Sequence, residues 1–184
     1  VGYAMAMAEE LGLEDDELRA QLAWAGFLHD IGKIGVPDAI LLKKSSLNQE
    51  EWEEIKRHPQ IGYEIVTQIS FLQEAANIIL LHHEHFDGRG YPKGLRKENI
   101  PLPARIFAVA DALDAMTTDR PYRPARKLKE ALEEIRGLSG KQFCPKVVKA
   151  LFAVGDKKLL TIKQQVKGAG DVTIIQKSLE FALK

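Results

Sequence analysis

Cysteine is almost absent from this chain: Cys144 stands alone among 184 residues. No internal disulfide can form, and a zinc site built on a set of thiolates is excluded. Net charge is missing as well, because 26 basic and 26 acidic residues cancel. Without a global basic field, duplex nucleic acid is not the expected partner, and any anionic ligand must be held by local charge. No apolar run approaches the ~20 residues of a membrane span. Val1–Leu11 lacks the basic region and apolar core of a signal peptide. Together these absences suit a reducing, cytoplasmic setting. Internal repeats and low-complexity tracts are also lacking. What remains is an ordinary globular composition, 45% hydrophobic and 28% charged, of a length that suits one domain plus a small appendage.

The pattern along the chain is helical nearly throughout. Val1, Ala4, Ala8 and Leu11 share one face of a helix already under way, so the chain is expected to be cut from a longer protein. Glu14–His29 carries Leu18, Leu22, Ala25 and Leu28 at helical spacing, with acidic residues in its first turn. Gly32, Gly35 and Pro37 break it. Ser46 with Gln49, or Asn48 with Glu51, offers a capping box to the next helix. That helix is expected to stop at Pro59, and another to run over Ile61–Ile69. Phe71–Glu84 follows, then a long loop over Phe86–Leu102 with glycines at 88, 90 and 94. Helices are expected at Pro103–Thr117, Lys127–Leu138 and Pro145–Val154. Trp24, Trp52 and Phe107 read as core. After Gly155 the composition turns basic and polar, Gly168-Ala169-Gly170 looks like a linker, and Asp171 could cap a last amphipathic helix bearing Val172, Ile175, Leu179 and Ala182. That tail either packs on the core or serves as a partner-binding or dimerising helix. The expected fold is all-α, a helical bundle, with a domain over residues 1–155 and an extension over 156–184.

The chemistry gathers at a few polar positions. His29-Asp30, His58 and His82-His83 hold four of the five histidines, and Asp111 and Asp114 share a helix face further on. Adjacent histidines are poor core material, since each ring needs polar partners when buried, but neutral imidazole is a good metal ligand. Mixed imidazole and carboxylate donors favour Fe, Mn, Zn, Ni or Co over Mg or Ca. His29 and Asp30 can face one cavity only at a helix end or local distortion, which the glycine break supplies. Pro59 is expected to push His58 out of the helical pattern and aim its ring inward. Two metals ~3.5–4 Å apart are a standard arrangement for displacement at phosphorus. Lys33, in the glycine turn, could reach a phosphate oxygen, and Arg120 and Arg123 suit bidentate phosphate recognition. Simpler readings stand beside these. Asp114 could cap its helix or pair with Arg120. Glu84 and His85 could hold the loop by hydrogen bonds. Asp87 reads as an Asx-turn residue, Tyr91 as a packed ring and Cys144 as core.

His29-Asp30-Ile31-Gly32-Lys33, His58-Pro59, His82-His83-Glu84 with Asp87-Gly88 and Gly90-Tyr91-Pro92, then Asp111, Asp114 and Arg120-Pro121-Tyr122-Arg123 resemble the HD-GYP domain, a subgroup of the HD phosphohydrolase superfamily. The resemblance covers Val1–Val154. It implies a bacterial signalling phosphodiesterase that opens cyclic di-GMP to pGpG or GMP on two or three transition-metal ions, iron or manganese. By position, His29, Asp30 and Asp111 would serve one metal, and Asp30 would bridge to a second held by His58, His82 and His83. Lys33 would contact the scissile phosphate, Asp114 would support the site, and Arg120 and Arg123 would bind the dinucleotide. Gly90, Tyr91 and Pro92 would form a partner loop for GGDEF-domain proteins, and a sensor or receiver domain would lie upstream. Three departures are visible. The family's first metal-binding His falls before Val1, the family has Asp where Cys144 stands, and 156–184 has no counterpart. The rivals are an HD phosphohydrolase for another nucleotide and a non-catalytic module that binds a cyclic dinucleotide or a partner.

Overall fold

The computed structural model of the chain describes residues 1–119 and 124–168, with the backbone alone given for 166–168. Arg120, Arg123 and the amphipathic tail at 172–182 lie outside the described residues. Ten helices are described: α1 Gly2–Glu10, α2 Asp16–Leu28, α3 Asp38–Leu41, α4 Gln49–Ile55, α5 His58–Val66, α6 Gln73–Leu81, α7 Leu102–Thr117, α8 Leu128–Gly137, α9 Pro145–Val154 and α10 Asp156–Gly168. No strand occurs among the described residues, only an isolated bridge between Ser139 and Phe143. The all-α expectation is borne out.

α1 is enclosed by its neighbours. Tyr3, Ala4, Ala6, Met7 and Ala8 are buried around most of its circumference, as expected of a helix without a polar face. Its alanines let α9, α7 and α2 close in on it. α7 crosses the bundle and packs on α1, α2, α6, α8 and α9, with Ile106, Val109 and Leu113 fully buried. α2 and α6 are stapled by buried Gln21. Its side-chain N–H donates to the Phe71 carbonyl (2.8 Å) and its oxygen accepts from the Ala75 N–H (3.0 Å), which satisfies an otherwise orphaned donor in the first turn of α6.

The expected start signals are partly realised. Asp15 caps α2 through the Glu17 and Leu18 amides. Of the two capping boxes on offer, Asn48 with Glu51 forms. Pro59 does not break a helix as expected; it stands at the first turn of α5, where its missing N–H costs nothing. His58 is therefore the first residue of α5 and not a distortion ahead of it. Trp52 also departs from expectation: it is 47% exposed, whereas Phe107 is buried and Trp24 packs edge-on against Phe71. The basic stretch after Gly155 is helical, as α10. Leu159 buries against α1 and α9, and Lys158 pairs with Glu9 at 2.8 Å. Leu159, Leu160 and Ile162 within a charged stretch gave little sign of this anchoring.

Candidate metal centre

Three helix ends, a 3-10 turn and one helix flank meet at the polar cluster. α2 stops at His29, and a 3-10 turn over Ile31–Gly35 turns the chain back. Asp30, between the two, adopts φ −96°, ψ 2°, the local distortion that lets neighbouring side chains face one side. Gly32 makes the turn possible. A Cβ there would collide with the His58 carbonyl oxygen and lie 2.5 Å from the Gly62 amide nitrogen, so only glycine allows the turn to lie flat on α5. α6 ends at His82, and the helix end brings the His82 and His83 rings to 3.9 Å between centroids.

The imidazoles are aimed by a repeated device. Nδ1 of His29, His58 and His82 lies 3.1, 2.6 and 2.6 Å from the carbonyls of Gly26, Ile55 and Ile79, each three residues earlier. Donation to a carbonyl fixes the proton on Nδ1 and leaves Nε2 as a lone pair. For His58 and His82 that Nε2 is buried and meets no hydrogen-bond partner. An orphaned buried polar atom is costly, and two of them facing one space call for a ligand that accepts lone pairs. His58, His82 and His83 bring their nitrogens within 4.8 Å of one another.

Asp30 lies between the groups. Its Oδ2 is 3.6 Å from His29 Nε2 and its Oδ1 is 3.7 Å from His58 Nε2, while Asp111 Oδ1 is 3.7 Å from His29 Nε2. These gaps exceed a normal hydrogen bond but match what two ligand bonds of about 2.1 Å to a common ion would span. The donor set of imidazoles and carboxylates without thiolate therefore fits transition-metal ions.

Electrostatics agree with this reading. Burial lowers the pKa of His58, and it lowers those of His82 and His83 further, with His83 at about 3. All three are neutral near pH 7, the form that ligates metal. Burial pushes Asp30 up, but His29, Lys33 and His58 outweigh it and hold the carboxyl below its usual value. Burial, with Asp111 and Asp30 nearby, raises Tyr91 to about 12, so its phenol stays protonated. Phe107 closes the floor against His29 and His82.

Lys33 reaches back to Asp30 at 2.7 Å, with both side chains partly exposed. That puts a cation at the open side of the cluster. Asp114 is exposed one turn beyond Asp111, and burial, joined by its charge, raises the Tyr3 pKa. Asp87 accepts from the Arg89 amide as an Asx turn, and buried Glu84 accepts from the Lys93 and Leu95 amides. Cys144 is buried, with Arg105 Nη1 at 3.3 Å from its sulfur. Sequence patterns did not reveal the three carbonyls that orient the rings. Their signal is only positional: each His closes or opens a helical turn, with a carbonyl three residues back.

The profile of the HD domain family matches residues 1–147. A cyclic di-GMP phosphodiesterase of Thermotoga maritima is 44% identical over 163 residues, covering 88% of this chain and 44% of that protein. The cyclic di-GMP phosphodiesterase response regulator RpfG of Xanthomonas campestris is 48% identical over 147 residues, covering 79% of this chain and 39% of its own length. The chain thus spans less than half the length of these curated relatives. A solved HDG"Y"P protein from Bdellovibrio bacteriovorus superposes with a TM-score of 0.66 at 27% identity, over 83% of this chain and 48% of that one. No described helix is long and apolar enough to cross a membrane.

Proposed function

The chain belongs to the HD domain family, and from that premise we propose that it is the metal-dependent phosphodiesterase module of a bacterial signalling protein, hydrolysing cyclic di-GMP. The observation that carries the reading is the pair of buried, partnerless Nε2 atoms of His58 and His82 beside Asp30. It is supported by the names of the Thermotoga and Xanthomonas relatives. His29, Asp30 and Asp111 would hold one ion, and His58, His82 and His83 a second, with Asp30 shared. Iron and manganese are the ions proposed. Bound there, the ions would lower the pKa of water and offset the charge that builds on the phosphoryl oxygens.

The chain's own groups divide the remaining work. Asp30 holds the two halves of the centre together. Lys33 is free to leave Asp30 for a non-bridging phosphate oxygen, since their pair is partly solvated and weakly held. Water attacks phosphorus in line, the bond to the 3′ oxygen breaks, and the product is a linear dinucleotide with a 5′-phosphate. Asp114, at the exposed edge, would support the site, and Arg120 and Arg123 would bind the dinucleotide. Phe107 and the packed Tyr91 ring keep bulk water from the buried side. The Gly90-Tyr91-Pro92 loop is proposed as the surface for GGDEF-domain partners, with a sensor or receiver domain upstream and the setting cytoplasmic.

The test is a substrate panel. With Mn²⁺ or Fe²⁺ added, cyclic di-GMP should be opened with a kcat/KM roughly tenfold or more above a mixed cyclic dinucleotide and above nucleoside monophosphates. Faster turnover of mononucleotides would reassign the substrate. Tight cyclic di-GMP binding without turnover at any metal concentration would make the chain a binding module.

A further inference from the structure

His83 differs from the other imidazoles of the centre. Nδ1 of His29, His58 and His82 is tied to a backbone carbonyl. Among the described residues, no side-chain hydrogen bond orients His83. Its ring instead lies flat against Tyr91, with centroids 4.9 Å apart and planes 29° from parallel. His82 and His58 flank the ring on its other sides, but His83 is only half-buried and Tyr91 covers its remaining face.

Tyr91 is held in that place by the backbone. Its N–H donates to the His83 carbonyl at 3.2 Å. Gly90 presses on the same segment: a Cβ there would collide with the His85 amide nitrogen and lie 2.5 Å from the His83 carbonyl oxygen. The far side of the loop is drawn in by Glu84. Its carboxylate is 3% exposed and accepts from the Lys93 amide at 2.6 Å and the Leu95 amide at 3.0 Å. Glu84 directly follows His83, so one short segment carries both the ligand and the anchor of the loop that covers it.

We propose that Tyr91 and Glu84 are positioning residues for the metal centre: the loop clamps the His83 ring into its ligating orientation. The inference rests on the metal reading of His58, His82 and His83 given above. It assigns the tyrosine ring a job inside the domain, separate from any partner on the outer face of the loop. Stacking needs the ring and not the hydroxyl, so Tyr91→Phe should keep the native metal affinity. Tyr91→Ala frees the His83 ring. In Glu84→Gln one of the two amides must face an NH₂ group instead of an oxygen, which loosens the loop without emptying the space.

Titration of the metal-free chain with Co²⁺, followed by its visible d–d absorption, tests this without any turnover. Tyr91→Ala and Glu84→Gln should each weaken Co²⁺ binding about tenfold or more and change the band shape. Tyr91→Phe should match the native titration, and the double variant should lose little more than either single one, because both act through one loop. Native-like Co²⁺ affinity in Tyr91→Ala, with only a lower melting temperature, would overturn the inference, as would equal losses in Tyr91→Ala and Tyr91→Phe. Should Tyr91→Ala fail to fold, Glu84→Gln and Tyr91→Phe decide: native binding by Glu84→Gln would contradict the clamp. A native chain that binds no Co²⁺ would sink the metal reading itself and this inference with it.

Discussion

Asp30→Ala should lower kcat for cyclic di-GMP by on the order of a thousandfold or more. The carboxylate is the only group within 4 Å of both His29 Nε2 and His58 Nε2 among the described ion pairs, so its removal uncouples the two proposed metal positions. It also releases Lys33, which loses its 2.7 Å partner. Folding should hardly change. The Lys33–Asp30 pair is 37% and 44% exposed, and pairs of that kind contribute only about 0–1 kcal/mol. Loss of activity with an unchanged urea midpoint is therefore the expected signature, read by chromatography of the linear product and by circular dichroism. Activity within tenfold of the native chain would remove Asp30 from the centre of the mechanism.

The second large effect concerns stability. Gly32→Ala should destabilise the fold by about 3 kcal/mol or more, at or beyond the upper end for overpacking. The new Cβ meets backbone on α5, the His58 carbonyl and the Gly62 amide, and backbone cannot rotate away as a side chain can. Relief requires the Ile31–Gly35 turn to lift off α5, which carries Asp30 away from His58. Loss of metal affinity should therefore accompany loss of stability. Gly137→Ala is the control. Nothing lies within 4 Å of its would-be Cβ, and the substitution should be neutral or stabilising by up to about 1 kcal/mol. Equal urea midpoints for Gly32→Ala and the native chain would mean that the turn is not pressed against α5 as described.

Much of this architecture was legible because helix chemistry is local. Apolar spacing marked α2 and α7, and the capping pair of Asn48 and Glu51 marked α4. The polar positions proposed as ligands stood out for a different reason. Buried imidazoles without partners are costly, so His82-His83 had to be explained by chemistry. Other features depended on distant packing and were not readable. Pro59 looks the same at a helix start as at a helix break, and only the close approach of Gly32 to α5 makes it a start. Trp52 has core spacing yet stands 47% exposed. α10 owes its place to Leu159 and to the Glu9 pair, contacts with residues almost the whole chain away. The stacking of Tyr91 on His83 likewise follows from the loop's path, which the run of glycines permits but does not specify.

The central claim is that His58, His82, His83 and Asp30 converge on a metal ion. Anomalous diffraction from crystals grown with Mn²⁺ or Fe²⁺, recorded on both sides of the metal edge, tests it most directly. The account predicts a peak within about 2.3 Å of Nε2 of His58 and of His82 and of an Asp30 oxygen. It predicts a second peak ~3.5–4 Å away, towards His29 and Asp111. A difference map without a peak between those imidazoles, or with the metal bound only elsewhere on the chain, would contradict it.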